Sequence, residues 1–256
     1  MQARIVAAGR GARWLAEGWR LFAAAPFAWL GLIGAYYLAV MLASLVPILG
    51  FVAVAATTPA FSVGFMAIAR AASRRTRPEA AALFDGFRHA LRSQLALGAV
   101  YFGLVSIIFA VIAFTDDGTL RSLAEAKRAR EAGEDLSGAL APLALAGAMY
   151  APVMLLFWFA PLLVAWHAVS PAKALFFSLA GCLMNWRAFL VYGALSAALI
   201  VAAPYLLVSV LVLVSGGGLN AKDPEVLLPF MLVLLPPFYG SFYASYRDVF
   251  GTPEEA

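Results

Sequence analysis

The chain has 256 residues, of which 64% are hydrophobic and only 12% are charged, and its mean hydropathy is +0.88. Soluble domains carry about 45–50% apolar and about 25% charged residues, so this composition excludes a water-soluble globule and predicts a polytopic helical membrane protein. One cysteine and two histidines exclude an internal disulfide and a metal cluster of cysteines or histidines, and the net charge of +4 fits anchoring to anionic lipid rather than nucleic-acid binding.

Six apolar segments are long enough to cross a hydrocarbon core of ~30 Å, which requires ~20 helical residues. They are residues 26–47, 48–69, 94–114, 142–168, 188–214 and 225–246. The first two meet at a short connection near Pro47 and Gly50, which predicts an antiparallel hairpin. We predict an all-α fold of six transmembrane helices in three hairpins, forming a single membrane domain over residues 1–256. The first segment lacks a suitable cleavage site, so we expect the N-terminus to be retained.

Lysine and arginine are distributed unequally between the two sides of these segments. Thirteen lie in the N-terminal segment, the second and fourth links and the C-terminal tail, whereas five lie in the other links. Because cytoplasmic loops are enriched in lysine and arginine, we expect both termini in the cytoplasm of a bacterial inner membrane. The outer link 115–141 carries three acid–base pairs at a spacing of four residues, which predicts a solvated helix, with a partner-docking helix as the alternative.

Amphipathic segments precede the first, third and fifth membrane segments, at residues 12–24, 79–93 and 171–187. In the first of them, Trp14, Leu15, Trp19 and Phe22 form an apolar stripe. We predict interfacial helices: in the first two the apolar face enters the acyl boundary while the arginines meet lipid phosphates, and the third, which is more apolar, lies deeper or against protein.

The same layout indicates an internal repeat. An acid–glycine–aromatic–arginine pattern occurs as EGWR at residues 17–20 and as DGFR at residues 85–88. Pro59 and Pro236 are each followed by an arginine eleven residues later. We therefore divide the chain into three repeat-like units, each an interfacial helix with a two-span hairpin. The units cover residues 1–70, 79–168 and 171–247.

The predicted spans contain no acidic or basic residue well inside them, although ion-coupled transporters usually need one. Their serines and threonines fit helix packing, with a substrate path as the alternative. His167 and the pair Asp116–Asp117 lack the partners that catalysis requires. We expect no catalytic, cofactor-binding or metal-binding residue, and therefore no enzyme.

Membrane-interface positions are the remaining candidates for a site. Asn185, Trp186 and Arg187 stand at the cytoplasmic start of the fifth span. Asn185 is expected to cap the following helix, Trp186 to join the aromatic belt, and Arg187 to meet phosphate. The predicted lipid-headgroup residues are Arg20, Arg88, Arg92, Asn185, Trp186 and Arg187.

Three stretches carry a resemblance to known proteins: the opening MQARIVAAGRGARWLAEGWRLFAAAPFAWL, the SLVPILG turn and the NWRAFLVYG stretch. They resemble an uncharacterised family of six-span inner-membrane proteins from beta-proteobacteria. More distantly, the layout is similar to the membrane domain that accompanies some glycerophosphoryl diester phosphodiesterases. No stretch of this sequence resembles the soluble catalytic domain of those enzymes or offers its metal-binding carboxylates and histidines. The resemblance implies location and topology and no activity.

These observations predict a non-enzymatic inner-membrane protein that acts as a scaffold, an accessory subunit or a lipid-organising protein. The alternative is a transporter or permease-like protein for a lipid or apolar solute. Membrane lipids are the expected partners, together with a membrane protein or a second copy of the chain, and no nucleic acid.

Overall fold

A computed structural model describes residues 3–46, 48–114, 140–214 and 224–251, and every element in these ranges is helical. The all-α prediction is confirmed for this part of the chain. The elements are α1 (Arg10–Ala24), α2 (Pro26–Ser44), α3 (Leu49–Ser73), a 3-10 turn (Ala80–Phe84), α4 (Asp85–Arg88), α5 (Leu91–Phe114), α6 (Leu140–Phe157), α7 (Ala160–His167), α8 (Pro171–Met184), α9 (Trp186–Val214) and α10 (Pro224–Phe250).

Five stretches of helix in the described ranges are long and apolar enough to cross a membrane. They are Pro26–Ser44, Leu49–Ser73, Leu91–Ile112, Leu145–His167 and Trp186–Val214. These stretches coincide with the first five predicted spans. The sixth predicted span falls within α10, and α10 is not one of the five stretches that are long and apolar enough to cross a membrane. The predicted outer helix at 115–141 lies outside the described residues apart from its last two positions.

The N-terminal helix α1 packs along the C-terminal helix α10 in the opposite direction. The Arg4 N–H donates to the Val249 carbonyl at 2.8 Å, and Gly18 lies against the backbone of Pro237 and Ser241. The buried residues of α1 share one face because they recur every three or four positions. They are Gly11, Trp14, Gly18 and Phe22.

The apolar stripe of α1 is therefore covered largely by protein. Trp14 is fully buried, whereas Trp19 is 52% exposed. The expectation that this whole stripe enters lipid is wrong for Trp14 and Phe22. The reason is steric, since Gly11 and Gly18 lack a Cβ and let the backbones of α9 and α10 approach closely.

The second predicted interfacial helix, 79–93, is not continuous. A 3-10 turn, the four-residue α4 and a left-handed residue at Ala90 (φ 58°) replace it. An L-residue in that conformation ends a helix, and α5 starts at the next residue. Gly86 lies against the backbone of Ala60 in α3, the residue after Pro59, just as Gly18 lies against the residue after Pro236.

The fourth predicted span is interrupted between α6 and α7. Pro161 has no N–H and clashes with the carbonyl four residues earlier, so a proline at this position opens the helix. The freed groups are satisfied by Ser178 of α8, whose hydroxyl accepts from the Phe159 N–H at 2.9 Å and donates to the Leu155 carbonyl at 2.8 Å. The buried Gln94 side chain donates to the Pro161 carbonyl at 2.8 Å. The break is thus closed by protein, as a break at membrane depth requires.

Candidate functional site

A cavity of about 310 Å³, which we call the aromatic cavity, lies between α2, α3, α5, α6, α7 and α10. Nine of the sixteen residues that line it are aromatic, so its wall is largely apolar. Rings from different helices support one another: Phe65 and Tyr239 stack with centroids 4.1 Å apart, and Trp158 and Phe242 are tilted at 4.4 Å. Such ring pairs hold the wall in shape beyond the effect of burial alone.

The polar groups of the aromatic cavity are mainly phenol hydroxyls. The hydroxyls of Tyr101 and Tyr150 are 2.8 Å apart and form a hydrogen bond across α5 and α6. The hydroxyls of Thr58 and Ser62 instead donate to carbonyls of their own helix, each at 2.7 Å, which leaves them little capacity for a ligand. No described residue that lines the cavity is charged. The cavity therefore suits a neutral, mostly apolar group with one hydrogen-bonding atom.

Proline residues occur in two walls of the cavity. Pro59 lies inside α3, and Pro161 lies at the start of α7, next to the helix break. The backbone near each proline loses regular helical hydrogen bonds. The cavity thus lies beside a proline within α3 and beside the break before α7, and broken helices are common at membrane binding sites.

A half-buried ionic network joins α1 to α10 outside the cavity. Asp248 accepts from Arg10 Nε at 2.6 Å and from Trp14 Nε1 at 2.7 Å. Glu17 accepts from Arg10 at 3.2 Å and also binds Arg247. The network fixes the register of the two terminal helices.

A probable inner membrane protein of Burkholderia thailandensis is 38% identical to this chain. The alignment spans 261 positions and covers 99% of this chain and 96% of that protein. The chain belongs to this inner-membrane family. No protein-family model matches the chain, and no solved structure matches it. The comparisons give no support to the distant similarity with phosphodiesterase membrane domains.

Family membership and the apolar helices together make this chain an inner-membrane protein. The relative covers almost the whole chain, so the terminal helices α1 and α10 fall within the shared length. The name of the relative states a location and no activity.

The predicted lipid-headgroup residues do not gather into one site, and none of them lines the aromatic cavity. Arg20, Arg88 and Arg92 are exposed. Trp186 is 52% exposed, and the Arg187 guanidinium lies 5.3 Å from the centre of its indole ring.

The prediction that Asn185 meets a lipid headgroup is wrong, because its side chain is only 2% exposed. Its Oδ1 accepts from the Val6 N–H at 2.8 Å, and its Nδ2 donates to the carbonyls of Arg4 at 3.0 Å and Gly181 at 2.9 Å. Both N–H groups of the amide and one acceptor site of its oxygen are therefore bound within the protein, so the side chain neither caps α9 nor reaches a headgroup. It ties the N-terminal segment to the α8–α9 junction instead.

The tyrosines of the aromatic cavity were not predicted from the sequence, although their position in the predicted spans indicates them. Tyrosine prefers the membrane–water interface, yet Tyr36, Tyr101 and Tyr150 each lie within a predicted span. Phenol groups inside a span need partners inside the protein. In the ranges that the structure describes, no group of histidine, cysteine, aspartate or glutamate side chains could hold a metal ion.

Proposed function

We propose that the protein is a non-enzymatic inner-membrane protein that binds a lipid or another apolar molecule in the aromatic cavity. In this way it acts as a lipid-organising or accessory protein. The observation that carries the proposal is an uncharged aromatic cavity whose polar groups are mainly phenols. Ligand sites are typically apolar, about 300–1,000 Å³ in volume, and contain a few placed polar groups.

The volume of about 310 Å³ is at the lower end of that range and fits one small molecule or part of a lipid. Tyr101 and Tyr150 would orient an ester or hydroxyl oxygen of that ligand. The lack of charged residues among the described lining residues argues against ion-coupled chemistry at this cavity. A permease-like role for a lipid or apolar solute is the second candidate, favoured by the prolines in two cavity walls.

The proposed topology has six spans, with α10 as the sixth, both termini in the cytoplasm and three repeat-like units. It rests on the excess of lysine and arginine on one side and on the matching contacts of Gly18 and Gly86. We expect a reporter fused after residue 130 to be active outside the cytoplasm and one at the C-terminus to be active inside. The opposite pattern would overturn this orientation.

The cavity is tested by filling it. Ser62 lines the cavity, and its hydroxyl bonds a carbonyl of its own helix, so Ser62→Leu adds volume without removing a hydrogen bond between helices. Ser44→Leu is the matched control, because Ser44 is exposed and its hydroxyl also bonds its own helix.

The probe is a phosphatidylethanolamine with a photoactivatable acyl chain, reconstituted with the purified full chain in liposomes. We expect crosslinks to concentrate on cavity-lining peptides of α3 and α6, and Ser62→Leu to lower them about fivefold while Ser44→Leu leaves them unchanged. Crosslinks spread evenly over the lipid-facing surface and insensitive to Ser62→Leu would refute the cavity proposal. Movement of labelled lipid between leaflets that Ser62→Leu abolishes would favour the permease-like candidate.

A further inference from the structure

A second cavity, which we call the basic cavity, lies where α1 meets α2 and where α3 ends. Its volume is about 590 Å³, and it is lined by residues 24–28, Ala72 and residues 75–77. Arg75 and Arg77 are its charged lining residues, and no carboxylate lines it among the described residues. Its charge is therefore positive.

The backbone conformation of Arg75 is unfavourable for a residue with a side chain. Arg75 follows the last turn of α3 in a left-handed conformation (φ 56°). Its N–H donates to the Ala72 carbonyl at 3.1 Å, and the Thr76 N–H donates to the Ala71 carbonyl at 3.0 Å. This helix ending favours glycine, which has no Cβ to strain. An arginine at this position costs stability and gains a guanidinium in the cavity.

The wall of the basic cavity that residues 24–28 form contains an exposed ring and the uncapped start of α2. Phe27 is 88% exposed and offers a ring to an acyl chain. The first turn of α2 starts at Pro26 and has no capping side chain, but α1 and α3 both end at this cavity, so its positive charge comes from the arginines rather than from helix dipoles. Guanidinium groups and an exposed ring together match a phosphate attached to an apolar tail.

The basic cavity is separate from the aromatic cavity. Ala25 lines the basic cavity, and Tyr36 lines the aromatic cavity. The two residues are eleven positions apart in the sequence, which places them on one face of α2 and about 16 Å apart along the helix. The fully buried side chains Trp29 and Ile33 lie on that face between them.

We propose that the basic cavity binds the phosphate group of an anionic phospholipid, with Arg75 and Arg77 on the phosphate oxygens and Phe27 against the start of an acyl chain. This site goes beyond the proposed function of the aromatic cavity, because it recognises charge. Its occupant belongs to the leaflet that faces the end of α3.

The test uses variants that separate charge from folding. Arg75→Gly removes the guanidinium at a position that favours glycine, so the protein should melt no lower than wild type. Arg77→Gln removes the second guanidinium. Ala168→Gly is the backbone control, since Ala168 is also left-handed (φ 51°), and Arg13→Gln is the charge control on an exposed position of α1.

Purified full chain in neutral detergent is titrated with phosphatidylglycerol, phosphatidylcholine or glycerol 3-phosphate, and bound species are counted by native mass spectrometry. We expect wild type to prefer phosphatidylglycerol, and Arg75→Gly and Arg77→Gln each to weaken that binding about fivefold, as the loss of one basic group near anionic lipid should. Both controls should stay within about twofold of wild type. Binding of glycerol 3-phosphate with the same arginine dependence would overturn the lipid assignment in favour of a soluble phosphate.

Unchanged phosphatidylglycerol binding by a folded Arg75→Gly, Arg77→Gln double variant would overturn the proposal. Ser62→Leu should leave this binding intact, so failure of the basic cavity and failure of the aromatic cavity give different results.

Discussion

Replacing Gly18 with alanine is expected to destabilise the whole helical bundle. A Cβ atom at this position would overlap the Pro237 carbonyl and the Ser241 amide nitrogen, and the backbone of Gly18 itself lies directly beside Gly240. Both obstructing groups are backbone atoms, which cannot rotate away as a flexible side chain can. Forced overpacking of this kind costs about 3 kcal/mol, which corresponds to a melting temperature lower by roughly 10 °C.

The measurement is the apparent melting temperature of the purified protein in detergent, followed by size-exclusion fluorescence. Gly31→Ala is the matched control, because no atom lies within 4 Å of a Cβ placed at Gly31 in α2. The control should melt like wild type. Equal melting of the Gly18→Ala and Gly31→Ala variants would mean that α1 and α10 do not pack through this glycine.

Replacing Asp248 with alanine is expected to be the most damaging change to the ionic network. It removes the acceptor for Arg10 Nε at 2.6 Å and for Trp14 Nε1 at 2.7 Å. Trp14 is fully buried, so its indole N–H would lose its partner without gaining water. Asp248 is 12% exposed and Arg10 is 24% exposed, so solvent offsets part of the loss, and we expect about 2 kcal/mol.

A double-mutant cycle separates the ion pair from the packing of these side chains. Arg10→Gln and Asp248→Asn should each lower the free energy of unfolding, and the double variant should cost less than the two separate losses together, because the partners are in direct contact. Glu79→Gln, at an exposed position, should change nothing. Strict additivity would show that Arg10 and Asp248 do not interact.

The lengths of the apolar runs predict the helical segments well, because helix formation in a membrane depends on residues that are close together in the sequence. A continuous apolar run of about 20 residues satisfies its own backbone hydrogen bonds in a helix and needs no information from elsewhere. Five such runs coincide with long apolar helices in the part of the chain that the structure describes. The break between α6 and α7 was harder to foresee, since its stability depends on Ser178 and Gln94 from other helices.

Long-range contacts explain the wrong predictions. The amphipathic stripe of α1 showed that one face avoids water, but amphipathicity is the same whether lipid or protein covers that face. The amide of Asn185 binds the backbone of Arg4 and Val6, about 180 residues away in the chain, and no local pattern marks such a partner. Ala90 carries no sequence signal for the left-handed conformation that divides the segment 79–93.

The pairing of α1 with α10 has a consequence for the order of biosynthesis. Glu17 and Arg247 are 230 residues apart, and a ribosome that adds about 5–20 residues per second needs roughly 10–50 s to travel that distance. Throughout this interval the surface of α1 around Gly18 lacks its partner in α10. A chain that stops before α10 therefore leaves the indole N–H of Trp14 without its Asp248 acceptor and Glu17 without Arg247, although Arg10, Phe189 and Tyr192 are already in place to contact them.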